Sequence, residues 1–170
     1  MSKKIGLFYG TTTGKTEAVA EAIRDAFDDV TIDYNDISKV DIEELNEYDC
    51  LIIGCPTWDI GELQSDWESV FSELDDIDFT GKLVAYFGTG DQLGYGDTFQ
   101  DAMGILEEKI TELGGNTVGY TDAEGYDFND SKALHDGKFC GLALDEDNQP
   151  ELTETRILAW VAQLKIEFGV

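Results

Sequence analysis

A chain of 170 residues, 42% hydrophobic and 11% aromatic, carries enough apolar side chain for one domain core. That excludes a disordered protein and removes any need for disulfides or a structural metal. Eleven Lys and Arg stand against 37 Asp and Glu, a formal net charge of −26, which argues against nucleic acid and anionic membranes, both bound through basic residues.

Along the chain, short apolar runs alternate with runs of helical period. Ile5–Tyr9 is a β-prone strand bounded by glycine, and Lys15–Phe27 places Val19, Ile23 and Phe27 on one helical face. Val30–Tyr34 alternates as a second strand. Cys50–Cys55 is continuously apolar, the pattern of a strand covered on both faces. Ser65–Leu74 reads as a helix opened by a Ser65-x-x-Glu68 capping box, and Leu83–Phe87 as a fourth buried strand. Phe99–Leu113 carries Phe99, Met103, Leu106, Ile110 and Leu113 at helical spacing, with a Thr98-x-x-Asp101 capping pattern at its start. Thr117–Tyr120 and Phe139–Leu144 are strand-like and flank a polar Gly/Asp/Asn-rich segment, residues 121–138. A last helix, Thr153–Phe168, turns Ile157, Trp160, Leu164 and Phe168 inward.

Repeated β-α-β alternation implies an α/β domain, a parallel sheet with helices on both faces. Ligands of such sheets bind at the C-terminal strand ends. The loops to watch are therefore Gly10–Thr16, Pro56–Gln64 and Gly88–Asp97. Cys50, Cys55 and Cys140 form neither a CxxC motif nor a zinc ribbon, and the single His135 builds no metal cluster by spacing. Buried, reduced thiols in a cytoplasmic protein are expected. No run reaches the roughly 20 apolar residues of a membrane span. Met1-Ser2-Lys3-Lys4 leads directly into the first strand without a signal-peptide core.

Gly10-Thr11-Thr12-Thr13-Gly14-Lys15-Thr16 joins a buried strand to a helix. Glycines turn the chain, hydroxyls donate hydrogen bonds, and the helix N-terminus adds partial positive charge. Together they suit an anion, most naturally a phosphate; the competing reading is a Thr-rich turn that only caps the helix. Gly10 and Gly14 enclose three residues where a Walker A loop has four, which counts against a nucleotide hydrolase. A phospho-receiver domain would need acids after the first strand and an Asp after the third. The chain has Gly10-Thr11 and Pro56-Thr57 there. A flavin-dependent quinone reductase would need substrate-facing loops for which 170 residues leave little room. Trp58 and Tyr95 lie on the two neighbouring loops, where large aromatics are costly unless covered. Beside a phosphate site they suggest a flat ring held between them.

With these features assembled, the chain resembles a long-chain flavodoxin, similar to those of cyanobacteria. The resemblance is carried by Thr11–Thr16, Cys55-Pro56-Thr57-Trp58, Gly88-Thr89-Gly90-Asp91, Tyr95 and the run from Gly141 to Gln149. It implies a flavodoxin-like three-layer sandwich: a five-stranded parallel sheet of order 2-1-3-4-5 with helices on both faces. The fifth strand would be split by residues 121–138. It also implies non-covalent FMN. Thr11, Thr12, Thr13, Gly14, Lys15 and Thr16 would wrap the phosphate. Pro56, Thr57, Trp58, Asp59, Ile60 and Gly61 would lie on one side of the ring, and Thr89, Gly90, Asp91 and Tyr95 on the other. Thr98, Gln100 and Asp147 would reach the ribityl chain and ring edge. Thr12, Asp59 and Thr98 depart from the family pattern, which has Gln, Asn and Asn there, and Asp59 would place a like charge beside the reduced ring.

Between residues 36 and 79 fourteen acids face one base, Lys39. Such a run is either a solvated face or a rim that steers a basic partner. The resemblance implies a monomeric electron carrier, not an enzyme. Its partners would be photosystem I as donor and ferredoxin–NADP reductase as acceptor.

Overall fold

The computed structural model describes residues 3–58 and 60–170. In chain order its elements begin with β1 (Ile5–Tyr9), α1 (Lys15–Ala26), β2 (Ile32–Asp36) and β3 (Cys50–Gly54). They continue with β4 (Thr57–Trp58), β5 (Glu62–Leu63), α2 (Ser65–Val70), β6 (Leu83–Thr89) and α3 (Asp101–Glu112). The last are β7 (Asn116–Thr117), β8 (Thr121–Asp122), β9 (Leu134–His135), β10 (Lys138–Phe139), β11 (Leu142–Leu144) and α4 (Thr153–Phe168).

The main sheet runs β2-β1-β3-β6-β11, and every neighbouring pair is parallel. β7 and β11 share the outer edge of β6: β7 pairs with Leu83 and Val84, β11 with Phe87 to Thr89. This is the expected strand order, with the fifth position filled by two short segments. The residues between them build a three-stranded sheet, β8-β10-β9, with antiparallel pairing.

Side chains alternate across the strands because the strand period is two. Phe8, Leu51, Ile53, Val84 and Tyr86 pack against Trp67 of α2 and Ala102, Met103, Leu106 and Ile110 of α3. Ile5, Leu7, Ile52, Ala85 and Phe87 face the other way, onto Val19, Ala20 and Ile23 of α1 and onto Ile157, Trp160 and Leu164 of α4. Helices thus cover both faces.

Several boundaries differ from the expected ones for local reasons. The second strand starts at Ile32, because Val30 closes a turn by donating its N–H to Phe27 O at 2.9 Å. The helix expected over residues 65–74 ends at Val70 and continues as a 3-10 turn to Asp76. Its cap is Gln64, whose side chain accepts from Asp66 N; Ser65 is the first helical residue, so the capping box does not form. α3 starts at Asp101 because Gln100 stands in the left-handed region at φ 61°. Thr98 therefore does not cap it; Thr57 reaches over from β4 and accepts from Ala102 N at 3.0 Å. The strand expected over 117–120 shortens to Asn116–Thr117, and that over 139–144 divides into β10 and β11. The 121–138 segment has its own apolar centre: Tyr126 and Phe128 lie 5.8 and 5.4 Å from Phe99, centroid to centroid.

Candidate functional site

The C-terminal ends of β1, β3 and β6 open into a cleft of about 360 Å³, within the size range of small-molecule and cofactor sites. One end of its wall is Thr11, Thr12, Thr13, Lys15 and Thr16. Gly14 precedes α1 in the left-handed region at φ 90°, a conformation that favours glycine. Its N–H donates to Thr11 Oγ1 at 3.0 Å, which closes the loop on itself. No side chain caps α1 among the described residues, so the first-turn N–H groups and the helix dipole are left to a ligand. Thr16 is buried, its Oγ1 3.1 Å from Thr89 Oγ1 on β6. The loop is braced from outside by Gln64, whose Nε2 donates to Thr11 O at 3.3 Å and to Thr12 Oγ1 at 3.2 Å. Trp67 Nε1 donates to Gly54 O at 2.7 Å and holds α2 against the end of β3.

The remaining wall is Pro56, Thr57, Trp58, Thr89, Gly90, Asp91, Tyr95, Thr98 and Gln100, with Asp147 at the rim. Trp58 and Tyr95 thus share one cleft, as their loops predict. Among the described residues, two buried polar atoms of residues in this wall, Trp58 Nε1 and Gln100 Oε1, make no hydrogen bond; both are closed off from the cleft, and Gln100 Oε1 is turned onto Gly88, 2.3 Å from where a Cβ would stand. Gln100 is fully buried, and its Nε2 donates to Leu144 O at 3.0 Å. Its left-handed backbone turns the side chain to the end of the sheet instead of the helix surface.

A buried carboxylate organises the far rim. Asp145 accepts from Gln92 N and Nε2, from Asp147 N, and from Asn148 N and Nδ2, at 2.8–3.1 Å. Asp91 accepts from Leu93 N, Gly94 N and Asn148 Nδ2. The Gly94 N–H, with help from Asn148 and Leu93, holds its carboxyl below the ordinary aspartate range. The loop after β6 and the loop after β11 are in this way one hydrogen-bonded unit. Lys15 Nζ meets Asp147 at 3.0 Å, so its charge is shared with a rim acid.

Of the residues singled out from the sequence, Gly14, Ile60 and Gly61 do not line the cleft, and Asp59 lies outside the described residues. Ile60 is 80% exposed. Gly61 has φ 80°, and a Cβ there would stand 2.7 Å from Asp101 Oδ2, so its place is in the turn, under the loop. Phe99 and Glu146 line the cleft and were not expected there. Phe99 reads as a helix residue because of its spacing. Glu146 sits within the acidic run after β11, where nothing local distinguishes one carboxylate from the next.

The flavodoxin family profile matches residues 7–160. A flavodoxin of Nostoc sp. is 70% identical over 170 residues, covering 100% of both chains. One of Synechococcus elongatus is 63% identical over 168 residues, 98% of this chain and 99% of that one. The crystal structure of Fusobacterium nucleatum flavodoxin bound to flavin mononucleotide superposes with a TM-score of 0.94 at 35% identity, covering 98% and 99%.

Proposed function

The chain belongs to the flavodoxin family, and from that premise we propose that it is a one-electron carrier that binds FMN non-covalently in the cleft. The observation that carries this reading is the pairing, in one cleft, of an uncapped helix N-terminus ringed by threonine hydroxyls with Trp58 and Tyr95. The residues present fit the cofactor. Thr11, Thr12, Thr13 and Thr16 offer hydroxyls to a phosphate, and the two aromatics offer faces to a ring. When bound, FMN supplies the redox chemistry. The protein binds it, keeps water from one side and sets the charge around it.

The acidic rim supports a further step, in which a basic redox protein docks over the cleft mouth. Ile60, Leu93 and Tyr95 are exposed, and Glu62, Glu68 and Glu73 stand exposed in the same acidic stretch as the Trp58 loop. Apolar tips with an acidic surround suit a transient, salt-sensitive complex. Photosystem I as donor and ferredoxin–NADP reductase as acceptor are the partners this reading favours, with the carrier acting as a cytoplasmic monomer.

The test begins with apoprotein titrated in parallel with FMN and riboflavin. FMN binds much more tightly and its fluorescence is strongly quenched. Trp58→Ala weakens binding by about 1–3 kcal/mol through lost burial and stacking. Equal affinity for the two flavins would remove the phosphate role of the Thr loop. Association with the reductase then slows as salt rises, and charge reversal at Glu62 and Glu68 slows it further. Asp66 is a poor choice for that test, because its carboxylate accepts from Gln64 Nε2 at 2.7 Å and so touches the support of the phosphate loop.

A further inference from the structure

We propose a second ligand site, remote from the cleft: a zinc-type divalent metal site formed by Glu107 of α3, His135 of β9 and Cys140 just after β10. The ligand atoms of these three residues all lie within 4.8 Å of one another, and none of the three lines the cleft. A thiolate, an imidazole and a carboxylate together are the donor set of a borderline metal such as Zn²⁺. Tetrahedral closure brings ligand atoms to about 3.3–3.8 Å from one another, so side-chain rotation of about an ångström completes it. Nε2 of His135 is already 3.1 Å from Glu107 Oε1.

The surroundings are those of a supported ligand set. Thr111 and Thr117 both donate to Glu107 Oε2 at 2.8 Å. This fixes the carboxylate and leaves Oε1 toward His135, the outer-shell arrangement that orients metal ligands. Glu107 is 7% exposed and Cys140 fully buried, while the His135 side chain is 46% exposed, which opens the site to solvent, the source of a water as fourth ligand. The Tyr86 hydroxyl is buried on the same side, close enough to feel the charge of Glu107 and Cys140, and its nearest polar neighbour is Thr117.

Binding replaces the Cys140 proton, which leaves to solvent, by the metal. Burial and the Glu107 charge push the free thiol's pKa up, so the thiol carries its proton until a metal takes its place. A bound ion would tie α3 to the β8-β10-β9 sheet. The single histidine that argued against a metal cluster is here joined by partners 28 positions before it and five after it.

Anaerobic oxidised holoprotein is titrated with Co²⁺ in excess Mg²⁺, which occupies the exposed carboxylates. The expected result is one equivalent with intense four-coordinate d–d bands, at longer wavelengths than oxidised flavin absorbs, that Zn²⁺ abolishes. His135→Asn and Cys140→Ser each remove the bands, and Thr117→Val weakens binding about tenfold. His135 is half-exposed, so the Asn variant folds even if the buried Cys140→Ser does not. FMN affinity is unchanged in His135→Asn. Weak six-coordinate bands, no stoichiometric binding, or bands that persist in His135→Asn would overturn the site and leave Glu107 and His135 a hydrogen-bonded pair.

Discussion

Asp91 shows how a single carboxylate positions the cleft. Its Oδ1 collects Gly94 N at 2.7 Å, Leu93 N at 3.1 Å and Asn148 Nδ2 at 2.7 Å, so one side chain shapes the loop after β6 and joins it to the loop after β11. Hydrogen bonds to the ionised form lower the folded pKa, and the sign of the stability effect follows by linkage. A group whose folded pKa is depressed contributes stability that is fully present above its unfolded pKa, about 3.9 for Asp. That contribution is lost as pH falls through the lower folded value. Asp91→Ala should therefore cost about 1 kcal/mol at neutral pH, the ordinary net worth of such bonds at an exposed loop. Denaturant unfolding of both holoproteins checks it. The stability gap should hold steady down to about pH 5 and close as the pH falls below the unfolded pKa. A gap that stays constant to pH 3 would mean that the Asp91 charge does not hold the loop.

At the scale of elements, the first, third and fourth strands, the last helix and the glycine turn before α1 are legible in the sequence because their signals are local. A continuous apolar run marks a doubly covered strand, and Gly14 before Lys15 marks a helix start that leaves its N–H groups free. What was not legible depends on contacts between distant segments. The start of α3 shifts because Gln100 goes to Leu144 O and Thr57, from another loop, caps the helix. The 121–138 segment reads as polar, yet Tyr126 and Phe128 supply enough apolar surface to pack on Phe99 and Phe139. Gln64 carries no motif and still holds two elements together, capping α2 and donating to Thr11 O and Thr12 Oγ1. Its role gives a prediction specific to the phosphate end. Gln64→Ala should weaken FMN by about fivefold, the loss of roughly 1 kcal/mol of loop organisation, and should change riboflavin affinity little. Parallel titrations of the variant read this directly; equal losses for both flavins would place the effect of Gln64 on the ring side instead.

At the scale of the whole molecule, net charge works against the fold. The −26 total is what remains after all eleven cations are counted against the 37 acids, so pairing cannot remove it, and several of the cations are already engaged. Lys15, Lys109, Lys138 and Lys165 each pair with Asp. Lys82 donates to the Asn46 and Tyr48 carbonyls, and Arg156 stacks over Tyr126 at 4.1 Å. Most of the 37 acids therefore repel one another across the surface, and self-repulsion destabilises a compact state. Salt screens it: the Debye length falls from about 10 Å at 0.1 M to about 3 Å at 1 M. Thermal stability of the holoprotein should rise with KCl by a few degrees, since about 1 kcal/mol moves Tm by roughly 2–4 °C in a chain of this size. The rise should be steepest below about 0.3 M and then flatten, as the screening length drops below the spacing of surface charges. Over the same range association with a basic partner should slow, so stability and encounter rate move in opposite directions in one salt series. A Tm that climbs linearly to 1 M without flattening would point to salt exclusion from apolar surface, and the repulsion account would then be wrong.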